Sequence, residues 1–329
     1  MTTFTMSGGV KVRACRGSAL IAAGVLALLA GGLEPLAAGQ VGGGAITGIG
    51  SDDAPVTLRP APITSPVLFD EMDKLPEELA DSARVRPAAA RALAINFAAL
   101  DAALAEAPEE TLGVAVHETP GAIRVRLPMP DGRDQEFIVV ESSILSPELA
   151  RQHPEIKTYL GQGVTDRTAV VRMHRTPLGF GASVRSGADI AYIDRYSEAD
   201  AGVYASYWVR ESGERADAPC HTKGDVPAMP GEFALPEGMG LERSGPVLRT
   251  FRLAVGATGE FTQAFGGGTV NGGLAAIVAN INRVAQIFEQ EVAVRLQLVA
   301  GNTSVVFTDG LSDPYPDFND ISFLSTQNT

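Results

Sequence analysis

Two cysteines and four histidines are all that the 329 residues hold of those types. That scarcity limits metal and nucleophile chemistry at once. His117, His153, His174 and His221 share no helical turn, and no H-E-x-x-H occurs. A catalytic zinc needs three protein ligands held close together, so these histidines predict no complete zinc centre. Each lone histidine is expected at the surface or in an ordinary hydrogen bond. A serine hydrolase elbow, G-x-S-x-G, is missing as well; Ser183 and Ser312 lie near glycines without the flanking pattern. Gly266, Gly268 and Asn271 put Asn where a G-x-G-x-x-G loop needs its third glycine, and no G-x-x-x-x-G-K-[ST] occurs, which excludes nucleotide binding. Basic residues are outnumbered, 26 against 39 acidic, for a formal charge of −13. Binding a phosphate backbone needs basic patches, so nucleic acid is excluded as a partner.

Long apolar runs are also few. The one clear run, Ser18 to Leu29, falls short of the ~20 residues that cross a bilayer, so no stable membrane span is expected. Lys11, Arg13 and Arg16 precede this run, and small residues around Leu36 to Gly39 follow it. That order reads as a secretory signal peptide over residues 1–39, cut after Ala38 or Gly39. The expectation is a secreted, extracellular or periplasmic protein. Cys15 precedes the apolar run and would leave with the signal. Cys220 would then be the sole thiol of an exported chain, a situation that asks for an explanation.

The rest of the sequence changes character twice. Residues 40–65 form a Gly-, Ala- and Pro-rich lead-in. Pro87 to Leu104 reads as a helix, with Leu93, Phe97, Leu100 and Leu104 on one face. From Ala122 the period falls to two. Ala122–Leu127 and Glu136–Val140 flank a Pro-Asp-Gly turn and predict a hairpin, and further strands are expected over 168–173, 179–184 and 189–193. Residues 40–210 are thus expected to hold a β-rich antiparallel module. Residues 211–248, dense in Gly, Pro and charge, read as a linker. A strand follows at Arg249–Val255. Then come a glycine-rich turn, a helix capped by Thr269, and a strand at Val292–Val299. Val270, Leu274, Ile277, Val278, Ile281, Val284, Ala285 and Phe288 make a sustained helical stripe that predicts core packing. Asn280, Asn282 and Arg283 are expected to face solvent or cap loops. Strand–helix–strand order predicts a βαβ crossover, and Ser304–Phe307 is expected to open another strand. Asp309, Asp313, Asp317 and Asp320 supply oxygens that suit calcium, although the same residues serve any turn.

Two stretches carry a family resemblance. One is PELARQHPEIKTYLGQGVTDRTAVVRMHRTPLGFGASVRSGADIAYIDRYSEADAGVYASYWVRE, Pro147 to Glu211. The other is LRTFRLAVGATGEFTQAFGGGTVNGGLAAIVANINRVAQIFEQEVAVRLQLVAGN, Leu248 to Asn302. Both resemble bacterial reprolysin-like metalloproteases of the metzincin clan, the first their propeptide and the second the opening of their catalytic domain. The resemblance implies an α+β chain. A β-rich antiparallel propeptide module would be followed over 249–329 by the N-terminal strand–helix–strand part of an α/β catalytic domain. It implies zinc and a protein or peptide substrate. It also implies an H-E-x-x-H-x-x-G-x-x-H segment beyond residue 329, so this stretch is expected to be inactive alone.

In such precursors a propeptide cysteine can ligate the zinc, and Cys220 in APCHTKGD is the candidate here. A disulfide to a cysteine elsewhere and a plain free thiol remain its other readings. Processing is expected near Arg243 or Arg249. The rival reading is a non-catalytic secreted binding or protease-inhibitory module.

Overall fold

The computed structural model describes residues 67–187, 189–212 and 247–314, together with the backbone of 2–6 and 10–14. The apolar run at 18–29, Cys15, Ala38, Gly39, Cys220, His221, Arg243, Asp317 and Asp320 lie outside the described residues.

Alternation of apolar and polar residues builds the larger sheet. Its strands are β3 (Phe69–Met72), β4 (Arg91–Ile95), β5 (Ile123–Pro128), β6 (Asp134–Glu141), β7 (Lys157–Gly163), β8 (Val170–Thr176), β9 (Gly179–Ser186), β10 (Asp189–Arg195) and β11 (Val203–Trp208). They run in the order β3-β4-β11-β10-β9-β8-β7-β6-β5, every neighbouring pair antiparallel. The sheet curls into a partly open barrel whose end strands approach without pairing. Ser206 of β11 donates to the Pro128 carbonyl of β5 at 2.7 Å, and Arg91 of β4 reaches Asp134 of β6 at 2.9 Å. Val125, Leu127, Phe137, Val139, Val171 and Met173 point into one core, the period-two rule of a half-buried strand. Helix α1 (Phe97–Ala105) plugs it with Leu100 and Leu104.

The helix expected from Pro87 therefore begins later. Residues 91–95 are a strand paired on both sides, with β3 and β11. Tertiary pairing overrides the helix propensity of this alanine-rich stretch. The helix starts only after Asn96, whose side chain caps the Ala99 N–H at 3.0 Å.

A smaller sheet has the order β13-β12-β1-β2. β12 (Arg249–Ala257) and β13 (Val294–Leu298) pair in parallel. Helices α3 (Gly259–Phe265) and α4 (Val270–Val292) lie between them in the chain. Backbone at Thr2–Met6 (β1) and Val10–Ala14 (β2) adds antiparallel strands beside β12. Thr269 caps α4 as its position predicts, accepting from the Gly272 N–H at 3.0 Å. A Cβ on Gly272 would overlap the Gly266 carbonyl, so α3 and α4 cross at a distance only glycine allows.

The strand expected at 304–307 does not form. Residues Asn302–Val305 make a 3-10 turn, and only Val306 bridges Ala257. Asn302 is the physical reason. Fully buried, its side chain accepts from the Val255 N–H at 2.7 Å and donates to the Val255 carbonyl at 3.2 Å. It completes the ladder where β13 ends and draws the chain inward.

Candidate functional site

The two sheets meet along α4, and this junction holds Arg172 and His174, the buried basic side chains among the described residues. Helix periodicity gives α4 two stripes. Leu274, Ile277, Val278, Ile281 and Ala285 enter the core shared with β12 and β13. Asn282, Gln286 and Glu289, at i, i+4 and i+7, lie along the helix toward the barrel. There they meet the outward residues of β8–β10, a face that alternation alone assigns to solvent. Cross-strand register makes two rows on that face. Arg172, Ser183, Tyr192 and Tyr207 form one row, and His174, Gly181 and Asp194 the other.

The polar side chains of the helix bond to these rows and to the backbone of β8, with Asn282 Oδ1 and Arg283 Nε left without a partner among the described residues. Asn282 donates to the Met173 carbonyl at 2.9 Å. Gln286 donates to the Val170 carbonyl at 2.8 Å and accepts from Ser183 at 2.7 Å. Glu289 takes Arg172 on one oxygen and Arg295 on the other. Arg295 continues to Glu110 at 2.7 Å, and Arg172 also donates to Ser142 at 3.0 Å. Arg283 pairs with Asp194 and stacks on the Tyr192 ring at 4.2 Å. Tyr207 donates to the other Asp194 oxygen at 2.8 Å. Asn282 and Arg283, expected at solvent, thus belong to the interior. Asn280 bonds back to the Ala276 carbonyl.

Burial shifts the titration of this seam. Desolvation, with the Arg283 charge adding to it, pushes His174 down to about 3. This corrects the expectation of a surface or ordinarily bonded histidine. The His174 ring fits because β9 offers only Gly181 opposite, where any Cβ would run into it. Burial would raise the Glu110 carboxyl, but hydrogen bonds from Arg295 and Ser142 outweigh it and hold it below the usual range. Burial also pushes the Tyr207 hydroxyl up, and Asp194 beside it adds to the effect. For Arg283, burial works against the charge and Asp194 more than compensates, so the net shift is upward. At the seam's end Leu160, Gln162, Val170, Arg172, Gln286 and Glu289 line an open cleft of about 270 Å³.

Of the other sequence candidates, His117 bonds Gln162, which lines this cleft, and His153 bonds Asn271 in the first turn of α4. Arg249 opens β12, and its N–H already donates to the Ala293 carbonyl at 2.9 Å. Calcium is not supported. Asp309 is used by Leu311 and Ser312, and Asp313 accepts from the Gly259 N–H. Among the described residues no three His, Cys, Asp or Glu side chains converge to hold a metal ion. Nor is any described helix long and apolar enough to cross a membrane.

A parallel β12–β13 pair joined by a long helix is the part of the chain that comparison resolves. Residues 247–327 match the family described as Metallo-peptidase family M12B Reprolysin-like. The resemblance read from Leu248–Asn302 is therefore shown for this reprolysin-like segment, and it supports a metalloprotease. The match does not extend into the barrel. No curated protein matches the chain, and no solved structure does. The family is typically zinc-dependent, but the described residues assemble no ligand set for zinc, and no step through the metal follows from them.

No single residue of the seam stands out in the sequence. A polar i, i+4, i+7 stripe opposite the apolar one was the available signal. Read alone, it looks like a solvated helix face.

Proposed function

We propose that this chain is the N-terminal portion of a secreted, zinc-dependent metalloendopeptidase precursor that hydrolyses peptide bonds. Residues 40–210 act as its propeptide and 249–329 begin its catalytic domain. The carrying observation is the reprolysin-like match over 247–327, which falls on the β12–α4–β13 unit. The segment Pro147–Glu211 supports the propeptide role by resemblance, and the barrel's grip on α4 is a contact suited to that role. Export rests on the order of residues at 1–39, and maturation is assigned to the stretch holding Arg243 and Arg249. Within this reading Cys220 is a zinc ligand of the latent form.

Reading the gene past codon 329 tests the proposal. An H-E-x-x-H-x-x-G-x-x-H segment is expected within about a hundred codons, and the product should cleave peptides in a chelator-sensitive manner. An open reading frame that continues without that segment would sink it. The rival, a non-catalytic binding or inhibitory module, draws on one observation: the barrel closes a core of its own.

A further inference from the structure

We infer that the barrel and the β12–α4–β13 unit stay together as one noncovalent assembly when the chain between them is cut. Cleavage and separation are then two distinct events.

Three kinds of contact carry this. The first is backbone. Just before helix α2 (Pro147–Gln152), residues 144–146 run along β13. The Leu298 N–H donates to the Ile144 carbonyl at 2.7 Å, and the Ser146 N–H donates to the Leu298 carbonyl at 2.9 Å. Leu145 and Leu298 form a parallel bridge. The barrel half therefore covers the outer edge of the smaller sheet, an edge that would otherwise expose unpaired groups.

The second contact is apolar. Ile144, Leu145, Leu149 and Ile156 are at most 2% exposed and sit in the same core as Leu274 and Leu298. Separation would return that surface to water on both sides. The third is the polar seam. Arg172–Glu289, Arg283–Asp194, Arg295–Glu110 and the Asn282 and Gln286 amide donors all bond across the junction, so pulling the halves apart leaves these groups to be rehydrated. Salt screens such buried pairs far less than exposed ones.

Neither the peptidase activity nor the propeptide role is needed for this inference. A chain without peptidase activity leaves it standing.

The test uses the full chain with a recognition sequence for a site-specific protease inserted within residues 213–246. After complete cutting, size-exclusion at about 1 μM is expected to give one peak at the uncut volume. That peak should hold both pieces on a denaturing gel, in about 1 M NaCl as well. Two separate peaks, or precipitation of either piece, would overturn the inference. A second protein carrying Asp194→Ala with Glu289→Ala, cut in the same way, is expected to release at least about tenfold more free piece. Equal release from the two proteins would remove the seam from the grip.

Discussion

The barrel and the β12–α4–β13 unit are made of the same materials, alternating strands and an apolar helix, but they differ in how they close. Every residue of the barrel core lies between Leu68 and Tyr204, with Trp208 packed beside it. The other core takes Ile144, Leu145, Leu149 and Ile156 from the barrel half of the chain. One region can bury its apolar surface alone, and the other needs a contribution from more than a hundred residues away. A sheet with one helix on it leaves a face to cover. Here α2 and the preceding residues complete the core, while the barrel's outer wall covers the far side of α4.

This contrast predicts which region fails first when the junction is damaged. Glu289→Ala should have the largest effect. It removes the acceptor of Arg172, which is 1% exposed, and of Arg295. Breaking a buried pair from one side costs about 3–5 kcal/mol. Hydrogen exchange over α4 should accelerate strongly. Trp208, the only tryptophan, reports on the barrel, and its fluorescence transition in urea should move little. Equal loss in both signals would mean that the two regions unfold as one, and the comparison would be broken.

The sequence made one side of α4 legible and hid the other. The apolar stripe from Leu274 to Ala285 and the Thr269 cap are local signals, and both appear where the 3.6-residue period predicts. The β5–β6 hairpin follows in the same way from alternation and a Pro-Asp-Gly turn. The polar stripe is different. Asn282, Arg283 and Gln286 look solvated because their partners, Met173, Asp194 and Ser183, stand some ninety to a hundred and ten positions earlier. On β8 the alternation of Arg172 and His174 with apolar neighbours is that of any sheet with one wet face. Nothing local says that a helix will cover that face. Residues 91–95 failed for a related reason, since their strand depends on β3 and β11.

Asn302 sharpens the comparison inside the dependent region. Asn302→Ala leaves the buried N–H and carbonyl of Val255 without their partner. An unsatisfied buried polar group costs about 1–3 kcal/mol. Thermal melting followed by exchange of the β12 amides should show the loss in the smaller sheet, with the barrel amides unchanged. Asn302→Asp should not recover it, because a fully buried carboxylate with no cationic partner, facing the Val255 carbonyl, costs more than its bond to the N–H returns. A variant that melts with the parent would remove Asn302 as the element that turns the chain inward.

The smallest effect, read per pH unit, tests whether the seam responds to acid. His174 titrates near 6.5 when unfolded and at about 3 in place. Its folded value is depressed, so between those limits the unfolded chain binds more protons than the folded one. Stability therefore rises with pH across the window and falls as pH drops from 6.5 toward 3. The slope from one group is at most about 1.4 kcal/mol per pH unit. The Glu110 carboxyl, held low by Arg295, acts in the same direction but only in its more acidic range. Measuring urea midpoints from pH 6.5 to 5 isolates His174 from it. His174→Gln should flatten that part of the profile, and the difference should appear in the exchange of α4 before it appears at Trp208. If the parent and the variant keep equal slopes, His174 is not protonated on unfolding in that range.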